Sequence, residues 1–144
     1  MNKVSNALST FDKGFNCSQS VLTAFCNEFG LHDEAAFRIA CGFGGGMGRM
    51  AETCGAVTGA FMVIGLKYGQ TRNADKAAKE KTYTLVKKFA NLFAKEHGSI
   101  RCGRLLSCDI NTPEGLKVAN EKGLFKTLCP KYVESAVKIL EKMV

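Results

Sequence analysis

Residues 50–68, with the sequence MAETCGAVTGAFMVIGLKY, form a nearly apolar segment that contains only two charged side chains. A helix without a polar face is normally buried at the centre of a fold. Ala51, Gly55 and Gly59 recur every four residues, which places them on one helix face and lets another backbone come close. We therefore predict a central helix over about residues 50–68, around which the other helices pack.

The segments on either side of this helix also have a helical pattern. Their apolar residues recur with a period near 3.6, and no segment alternates polar and apolar residues as a strand does. Both prolines, Pro113 and Pro130, stand where a helix would begin. We predict an all-α fold, a single compact multi-helix domain over residues 1–144. The other predicted helices cover residues 3–11, 17–29, 33 onward, 73–97, 100–106, 113–122 and 130–143.

Length and composition favour one domain without a membrane span. The chain has 144 residues, 46% of them hydrophobic, which suits one core and is too short for two. The longest stretch of low polarity, residues 54–66, is 13 residues long, whereas a membrane-spanning helix needs roughly 20 apolar residues. No secretory signal is indicated near the first residues. We therefore expect a cytoplasmic location.

The excess positive charge lies in the second half of the chain. The net charge is +7, but residues 1–71 hold 5 basic and 5 acidic side chains, and residues 72–144 hold 15 and 8. A basic excess is typical of proteins that bind nucleic acids or other anions. Here the lysines are interspersed with glutamates at helical spacing and Trp is absent, which favours a solvated helix surface. We predict no nucleic-acid partner.

Seven cysteines are the main functional feature of the sequence. In a reducing compartment, such a set points to metal or redox chemistry before structural disulfides. Four of them fall at predicted helix N-termini, where backbone N–H groups and the helix dipole favour a thiolate. A thiolate is both the nucleophile of disulfide exchange and a ligand of zinc or an iron–sulfur cluster. The four candidate catalytic or metal-ligating residues are Cys17, Cys54, Cys102 and Cys129.

Spacing alone identifies neither a metal nor the role of the other cysteines. The chain has no C-x-x-C, C-x-x-C-H or H-E-x-x-H motif. We expect Cys26, in the middle of a predicted helix, to be a buried apolar side chain. For Cys41 and Cys108, a core role and a chemical role both stay open. His32 and His97 are isolated, and we expect neither to be catalytic.

Residues 42–49, with the sequence GFGGGMGR, are too rich in glycine for the interior of a stable helix. The segment lacks the ending of a phosphate-binding Walker loop, and it follows a predicted helix rather than the strand of a dinucleotide fold. We predict a tight backbone bend or a close approach to a cofactor, and Arg49 is also suited to holding a small anion. The candidate cofactor-binding residues are Gly44, Gly45, Gly46 and Arg49.

Several motifs, in the same order, resemble one known family. They are FNCSQS at residues 15–20, GFGGGMGR at 42–49, ETCGAVTG at 52–59, Arg101-Cys102 and Cys129-Pro130. Over about residues 15–140, the chain is similar to the small proteins called C_GCAxxG_C_C after their cysteine pattern. The resemblance implies a redox-active protein of about this size. The four cysteines of the family pattern correspond to Cys17, Cys54, Cys102 and Cys129.

These observations lead to one main hypothesis and two alternatives. The main hypothesis is a small redox-active protein whose four cysteines converge to ligate an iron–sulfur cluster or to cycle between dithiol and disulfide in electron transfer. The alternatives are a non-catalytic zinc-binding module and an inert helical interaction domain. The redox partner and any enzymatic activity stay open, and the glycine face of the central helix is compatible with a homodimer. Cys26, Cys41 and Cys108 lie outside the family pattern.

Overall fold

The computed structural model describes residues 2–144 and is all-α, as predicted. Within residues 2–144 no β-strand is formed, although Thr53 and Arg101 make an isolated antiparallel bridge. A short 3₁₀ helix, Cys26–Phe29, follows the second α-helix. In chain order, the α-helices are α1 (Lys3–Asp12), α2 (Cys17–Phe25), α3 (Asp33–Cys41), α4 (Gly44–Met47), α5 (Gly55–Tyr68), α6 (Lys76–His97), α7 (Cys102–Leu106), α8 (Pro113–Glu121), α9 (Leu124–Thr127) and α10 (Cys129–Met143).

Helix α5 is the central helix that the apolar segment predicted. It packs against α2, α6 and α10, and most of its length is buried. The helix begins at Gly55, however, and not near residue 50. Ala51 has a left-handed backbone with φ 59°, and Cys54 is the N-cap of the helix. Ala51 is therefore not part of the small-residue face that the sequence predicted.

The two glycines of that face pack within the chain, against α2. A Cβ atom on Gly59 would lie 2.8 Å from the carbonyl oxygen of Ser18, and one on Gly55 would lie 3.0 Å from the backbone nitrogen of Ser18. Since a side chain would collide with the α2 backbone, the glycines allow the two helices to come this close. The contact brings the N-terminus of α2 beside the N-terminus of α5.

Several helix ends are set by their capping residues. Asn16 and Gln19 form a reciprocal capping box at the start of α2. The Thr112 hydroxyl accepts a hydrogen bond from a backbone N–H in the first turn of α8. Gly98 ends α6 in a left-handed conformation with φ 88°. These ends lie close to where the sequence placed them.

Other boundaries differ from the prediction. The predicted helix over residues 17–29 is α-helical only to Phe25 and then tightens into the 3₁₀ helix. The predicted helix over residues 73–97 begins at Lys76, because the Asp75 side chain caps it. The helix predicted over residues 100–106 begins at Cys102. Helix α9 was not predicted, since its four residues are too short to show a period.

The hydrophobic core lies where α6 and α10 cover α5. Phe89 and Phe93 of α6 are fully buried, and their ring centroids are 6.1 Å apart. The lysines on the outer side of α6 are exposed, as expected for a solvated helix surface. Among the residues that the structure describes, no helix is both long and apolar enough to cross a membrane.

Candidate redox site

Four helix starts bring four cysteines to one cavity. Cys17, Cys102 and Cys129 are the first residues of α2, α7 and α10, and Cys54 is the N-cap of α5. All four line a cavity of about 470 Å³, and each is between 5 and 9% exposed. The structure thus brings together the set of cysteines that the sequence singled out, although they come from widely separated parts of the chain.

The Cys17 thiol interacts with the thiols of both Cys129 and Cys54. Hydrogen bonding with these two groups, reinforced by burial, raises the pKa of Cys17 well above its ordinary value of 9.0. Hydrogen bonding with Cys17 lowers the pKa of Cys54, and this effect outweighs burial. The backbone N–H groups of Ala56 and Val57, at the start of α5, also lower the pKa of Cys54. Of this pair, the pKa of Cys54 is lowered and that of Cys17 is raised, so Cys54 is the more acidic thiol.

A position at a helix start does not ionise every cysteine, contrary to the expectation from sequence. Burial, followed by repulsion from Cys54 and Cys129, raises the pKa of Cys102 to about 12. The pKa of the Tyr132 hydroxyl is also raised, mainly by burial. Because α7 has only five residues, its dipole is weak compared with these effects. Cys102 and Tyr132 therefore stay protonated when Cys54 ionises.

A short antiparallel bridge between residues 52–54 and 100–102 holds two of the cysteines. The Cys54 N–H donates to the backbone of the second segment at 2.7 Å, and the Cys102 N–H donates to the backbone of the first at 2.6 Å. These hydrogen bonds satisfy backbone groups that a helix starting at residue 50 would have used. The bridge therefore explains why α5 begins later than the apolar pattern predicted.

The glycine-rich segment forms a left-handed turn, which confirms the predicted tight bend. Residues with φ between 62° and 67° follow one another here: Gly45, Gly46, Met47, Gly48 and Arg49. Helix α4, whose residues Gly45 and Gly46 are left-handed, is therefore not a regular α-helix. Glycine adopts this conformation without strain, whereas Met47 and Arg49 do so at a cost of about 1–2 kcal/mol each.

Two glycines let this turn pack directly on the cysteine-bearing segments. A Cβ atom on Gly46 would lie 2.7 Å from the Cβ of Cys102 and 2.6 Å from the backbone nitrogen of Glu52. One on Gly44 would lie 2.6 Å from the side-chain nitrogen of Asn16, the residue before Cys17. Any larger residue at either position would push the turn away from the cysteines.

The predicted cofactor-binding residues line the same cavity as the four cysteines. These residues are Gly44, Gly45, Gly46 and Arg49. Their placement joins the glycine-rich segment and the cysteines into one site. The cofactor-binding role itself stays a prediction.

The sequence did not predict the apolar wall of the cavity. This wall is formed by Phe11, Phe15, Leu105, Leu106, Ile110, Leu116, Phe125 and Tyr132. Helical spacing could have identified part of it, since Leu105 follows Cys102 by three residues and Tyr132 follows Cys129 by three. The aromatic residues from α1, α9 and the loop before α2 reach the cavity only through tertiary packing.

The similarity to a known family extends over nearly the whole chain. The family model described as "Putative redox-active protein (C_GCAxxG_C_C)" matches residues 15–143. The chain belongs to the C_GCAxxG_C_C family. The matched span contains all four cysteines of the cavity, and redox activity is the role that the family description gives. No curated protein and no solved structure matches the chain.

All seven cysteines of this C_GCAxxG_C_C protein are free thiols. Within residues 2–144, no group of three or more His, Cys, Asp or Glu side chains is arranged to hold a metal ion. The ligation of an iron–sulfur cluster or of zinc by the four cavity cysteines therefore stays a prediction.

The three cysteines outside the C_GCAxxG_C_C pattern have separate environments. Cys26 is buried, as expected, and its thiol donates to the Asp33 carboxylate at 3.3 Å. Burial, followed by this hydrogen bond, raises the pKa of Cys26 to about 11. The half-buried Cys108 thiol donates to the carbonyl oxygen of Gly115 at 3.1 Å. Cys41 is exposed and lines the cavity of the other four.

Proposed function

We propose that this C_GCAxxG_C_C protein is a dithiol–disulfide redox protein in which Cys54 attacks and Cys17 resolves. The observation that supports this proposal is that Cys17 lies against the start of α5: a Cβ atom on Gly55, the residue after Cys54, would lie 3.2 Å from the Cβ of Cys17. Disulfide exchange needs one thiol that ionises readily and a second thiol close enough to attack the mixed disulfide. The lowered pKa of Cys54 and the position of Cys17 beside the start of α5 support these two roles.

The proposed reaction has two exchange steps. In the first, the Cys54 thiolate attacks one sulfur of a substrate disulfide, forms a mixed disulfide and releases a thiolate, which takes up a proton. In the second, Cys17 loses its proton and attacks the Cys54 sulfur, which forms the Cys17–Cys54 disulfide and releases the second substrate thiol. The protein loses two electrons and two protons, and the substrate disulfide gains them.

A return to the dithiol completes the cycle. Cys129 lines the same cavity and contributes to the raised pKa of Cys17, which supports a role for it in exchange with the newly formed disulfide. A thiol reductant restores the dithiol by the reverse exchange, which proceeds readily in a reducing compartment. The cytoplasmic location expected from the sequence belongs to this proposal.

Equilibration in dithiothreitol redox buffers under nitrogen, followed by alkylation and mass spectrometry, tests the dithiol proposal. We expect a single transition that consumes two thiols per chain, with a Cys17–Cys54 disulfide in the peptide map. Cys54→Ser should abolish the transition, whereas Cys26→Ser should preserve it, because Cys26 is buried outside the cavity. A transition that survives Cys54→Ser would contradict the proposal.

An iron–sulfur cluster is the second candidate, because four cysteines line one cavity and four thiolates are its usual ligand set. When bound, a cluster would supply one-electron transfer at the same place.

Visible spectroscopy with iron, sulfide and zinc analysis on protein purified without oxygen separates the candidates. Iron and sulfide with a visible band that Cys54→Ser removes would support the cluster. Colourless, metal-free protein would support the dithiol, and stoichiometric zinc without colour would support a structural zinc module.

A further inference from the structure

The cavity in front of the cysteines has apolar walls and one arginine, Arg49, among its lining residues. We infer that it selects a small disulfide with an apolar body and a carboxylate group, and that Arg49 binds the carboxylate. This inference rests on the proposed function and names its substrate class.

The size of the cavity suits a small molecule. Its volume of about 470 Å³ falls within the range of roughly 300–1,000 Å³ that is typical of small-molecule sites. The four cysteines are each less than one tenth exposed, so their sulfur atoms are reached through the cavity. A compact disulfide fits such a space.

Arg49 is the only Arg, Lys, Asp or Glu side chain among the described residues that line the cavity. Its side-chain stem lies over Gly45, where an added Cβ atom would meet the Arg49 Cγ at 2.8 Å and the Ile110 Cδ1 at 3.3 Å. Within residues 2–144, no carboxylate lies within ion-pair distance of Arg49. A guanidinium without an internal partner, on the wall of a cavity, can bind a carboxylate through two parallel hydrogen bonds.

The backbone of Arg49 is strained in the same way as that of its neighbours Met47 and Ala51. Arg49 has φ 67°, a left-handed conformation in which glycine would be unstrained. Its neighbour Gly48, with φ 62°, shows that the turn uses glycine at an equivalent position. A side chain held at a strained position is a feature of functional sites. The strain therefore marks the turn as a whole, and the role of Arg49 rests on its charge and its place on the cavity wall.

The apolar side chains of the cavity wall favour a particular kind of group beside the disulfide bond of the ligand. Phe15 is 38% exposed, and its ring packs on Phe37 with the ring centroids 4.3 Å apart. Leu105, Ile110 and Phe125 add further apolar surface to the cavity. Such a wall favours an aromatic or aliphatic body next to the disulfide bond.

Two aromatic disulfides with different charge test this inference. 5,5′-Dithiobis(2-nitrobenzoate) carries a carboxylate on each ring, whereas 4,4′-dithiodipyridine is uncharged at mildly alkaline pH. The first releases a yellow thiolate and the second a thiopyridone that absorbs in the near ultraviolet, so stopped-flow absorbance gives both rates of reaction with the reduced protein. The measurements use a Cys41→Ser background, because Cys41 is an exposed thiol that would react by itself. Mass spectrometry identifies the cysteine that is modified first.

We expect Arg49→Ala to lower the rate of reaction with the carboxylate probe about tenfold or more, because a charge-assisted hydrogen bond is lost. The rate with the neutral probe should change by less than about twofold. Arg49→Gly removes the same charge and also relieves the backbone strain, so it should show the same selective loss in a well-folded protein. Arg101→Ala is the matched control, because Arg101 lies next to Cys102 but pairs with Glu52 outside the cavity. It should change neither rate by more than about twofold.

Three results would overturn the inference. Equal slowing of both probes by Arg49→Gly would show that Arg49 acts on the cysteines or the fold rather than on the carboxylate. An equal effect of Arg101→Ala on the carboxylate probe would show that overall charge, and not the cavity, is responsible. Both of these results leave the dithiol function intact. If neither probe modifies Cys54, the proposed function fails, and the inference fails with it.

Discussion

At the residue scale, Cys54 and Cys17 show how one kind of side chain takes two roles. Both stand at helix starts and both are buried, yet their pKa values move in opposite directions. Hydrogen bonding between the two thiols lowers the pKa of Cys54 and contributes to the raised pKa of Cys17, and the backbone N–H groups at the start of α5 lower the pKa of Cys54 further. Neighbouring groups, rather than the helix start alone, therefore set the direction of each pKa shift.

Removal of the Cys17 thiol should make Cys54 less acidic. In Cys17→Ala the main cause of the lowered pKa of Cys54 is lost, so the thiolate fraction near neutral pH should fall, about tenfold for each unit by which the pKa rises. The measurement is the pH dependence of Cys54 alkylation by iodoacetamide, followed by mass spectrometry.

Cys129→Ala is the matched control for this experiment, because Cys129 interacts with Cys17 and is not a cause of the Cys54 shift. Its alkylation profile for Cys54 should resemble that of the wild-type protein. Identical profiles for Cys17→Ala and the wild-type protein would contradict this effect of Cys17 on the pKa of Cys54.

At the scale of elements, the left-handed turn and the short bridge position the cysteines. The turn over residues 45–49 packs Gly46 on Cys102, and the bridge ties Cys54 and Cys102 to neighbouring backbone segments. Neither element is a regular helix, but both lie at the ends of helices that carry the cysteines. The helices supply the rigid support, and the irregular segments between them set the spacing of the sulfur atoms.

The tight packing of Gly46 leads to a prediction about two glycines of the same turn. Gly46→Ala should destabilise the protein by roughly 2–4 kcal/mol, because left-handed strain is joined by a collision with Cys102 and with the Glu52 backbone. Gly48→Ala has the same left-handed strain, but its nearest contact is 3.9 Å away, so about 1–2 kcal/mol is expected. Urea unfolding of the two reduced variants measures the difference.

The same pair of variants also reports on the site. We expect Gly46→Ala to slow formation of the Cys17–Cys54 disulfide more than Gly48→Ala does, because it displaces the turn from the cysteine-bearing segments. Equal unfolding free energies for the two variants would show that the close packing of Gly46 does not contribute to stability.

At the scale of the whole molecule, folding raises the pKa values of several thiols. The folded protein raises the pKa values of Cys26 and Cys102 from 9.0 to about 11 and about 12, and it raises that of Cys17 as well. In the unfolded chain these thiols have ordinary pKa values. Protonation and stability are therefore linked through several buried thiols at once.

This linkage predicts that stability falls at alkaline pH. Above pH 9.0 the unfolded chain releases thiol protons that the folded protein keeps, so each raised pKa lowers the free energy of unfolding by up to about 1.4 kcal/mol per pH unit. The contribution is complete below pH 9.0 and is lost as the pH approaches the folded pKa. Cys54 has a lowered pKa, so its opposite contribution is gained below pH 9.0 and does not cancel the fall.

Urea unfolding of the reduced protein between pH 8 and pH 11 measures this dependence. Cys26→Ala should show a shallower fall than the wild-type protein, because one raised pKa is removed. Cys41→Ala, which changes an exposed thiol, should keep the wild-type slope. Parallel slopes for Cys26→Ala and the wild-type protein would contradict the linkage.

Most of the helices could be predicted from the sequence, because the signals that form them are local. The apolar segment predicted α5, and capping residues such as Asn16, Thr112 and Gly98 mark helix ends in the structure. The boundaries that failed are those with non-local causes. Helix α5 starts late because residues 52–54 pair with residues 100–102, and no local pattern reports such a pairing.

The sequence by itself determined the all-α fold, the central helix and the set of four cysteines, since periodicity, caps and motifs lie within short stretches of chain. Only the tertiary structure decided that these cysteines share one cavity, that the pKa values of Cys17 and Cys54 move in opposite directions, and that Arg49 stands on the cavity wall. The physical reason is that hydrogen bonding, burial and charge depend on distance in space. Those distances exist only after the N-termini of α2, α5, α7 and α10 have packed together.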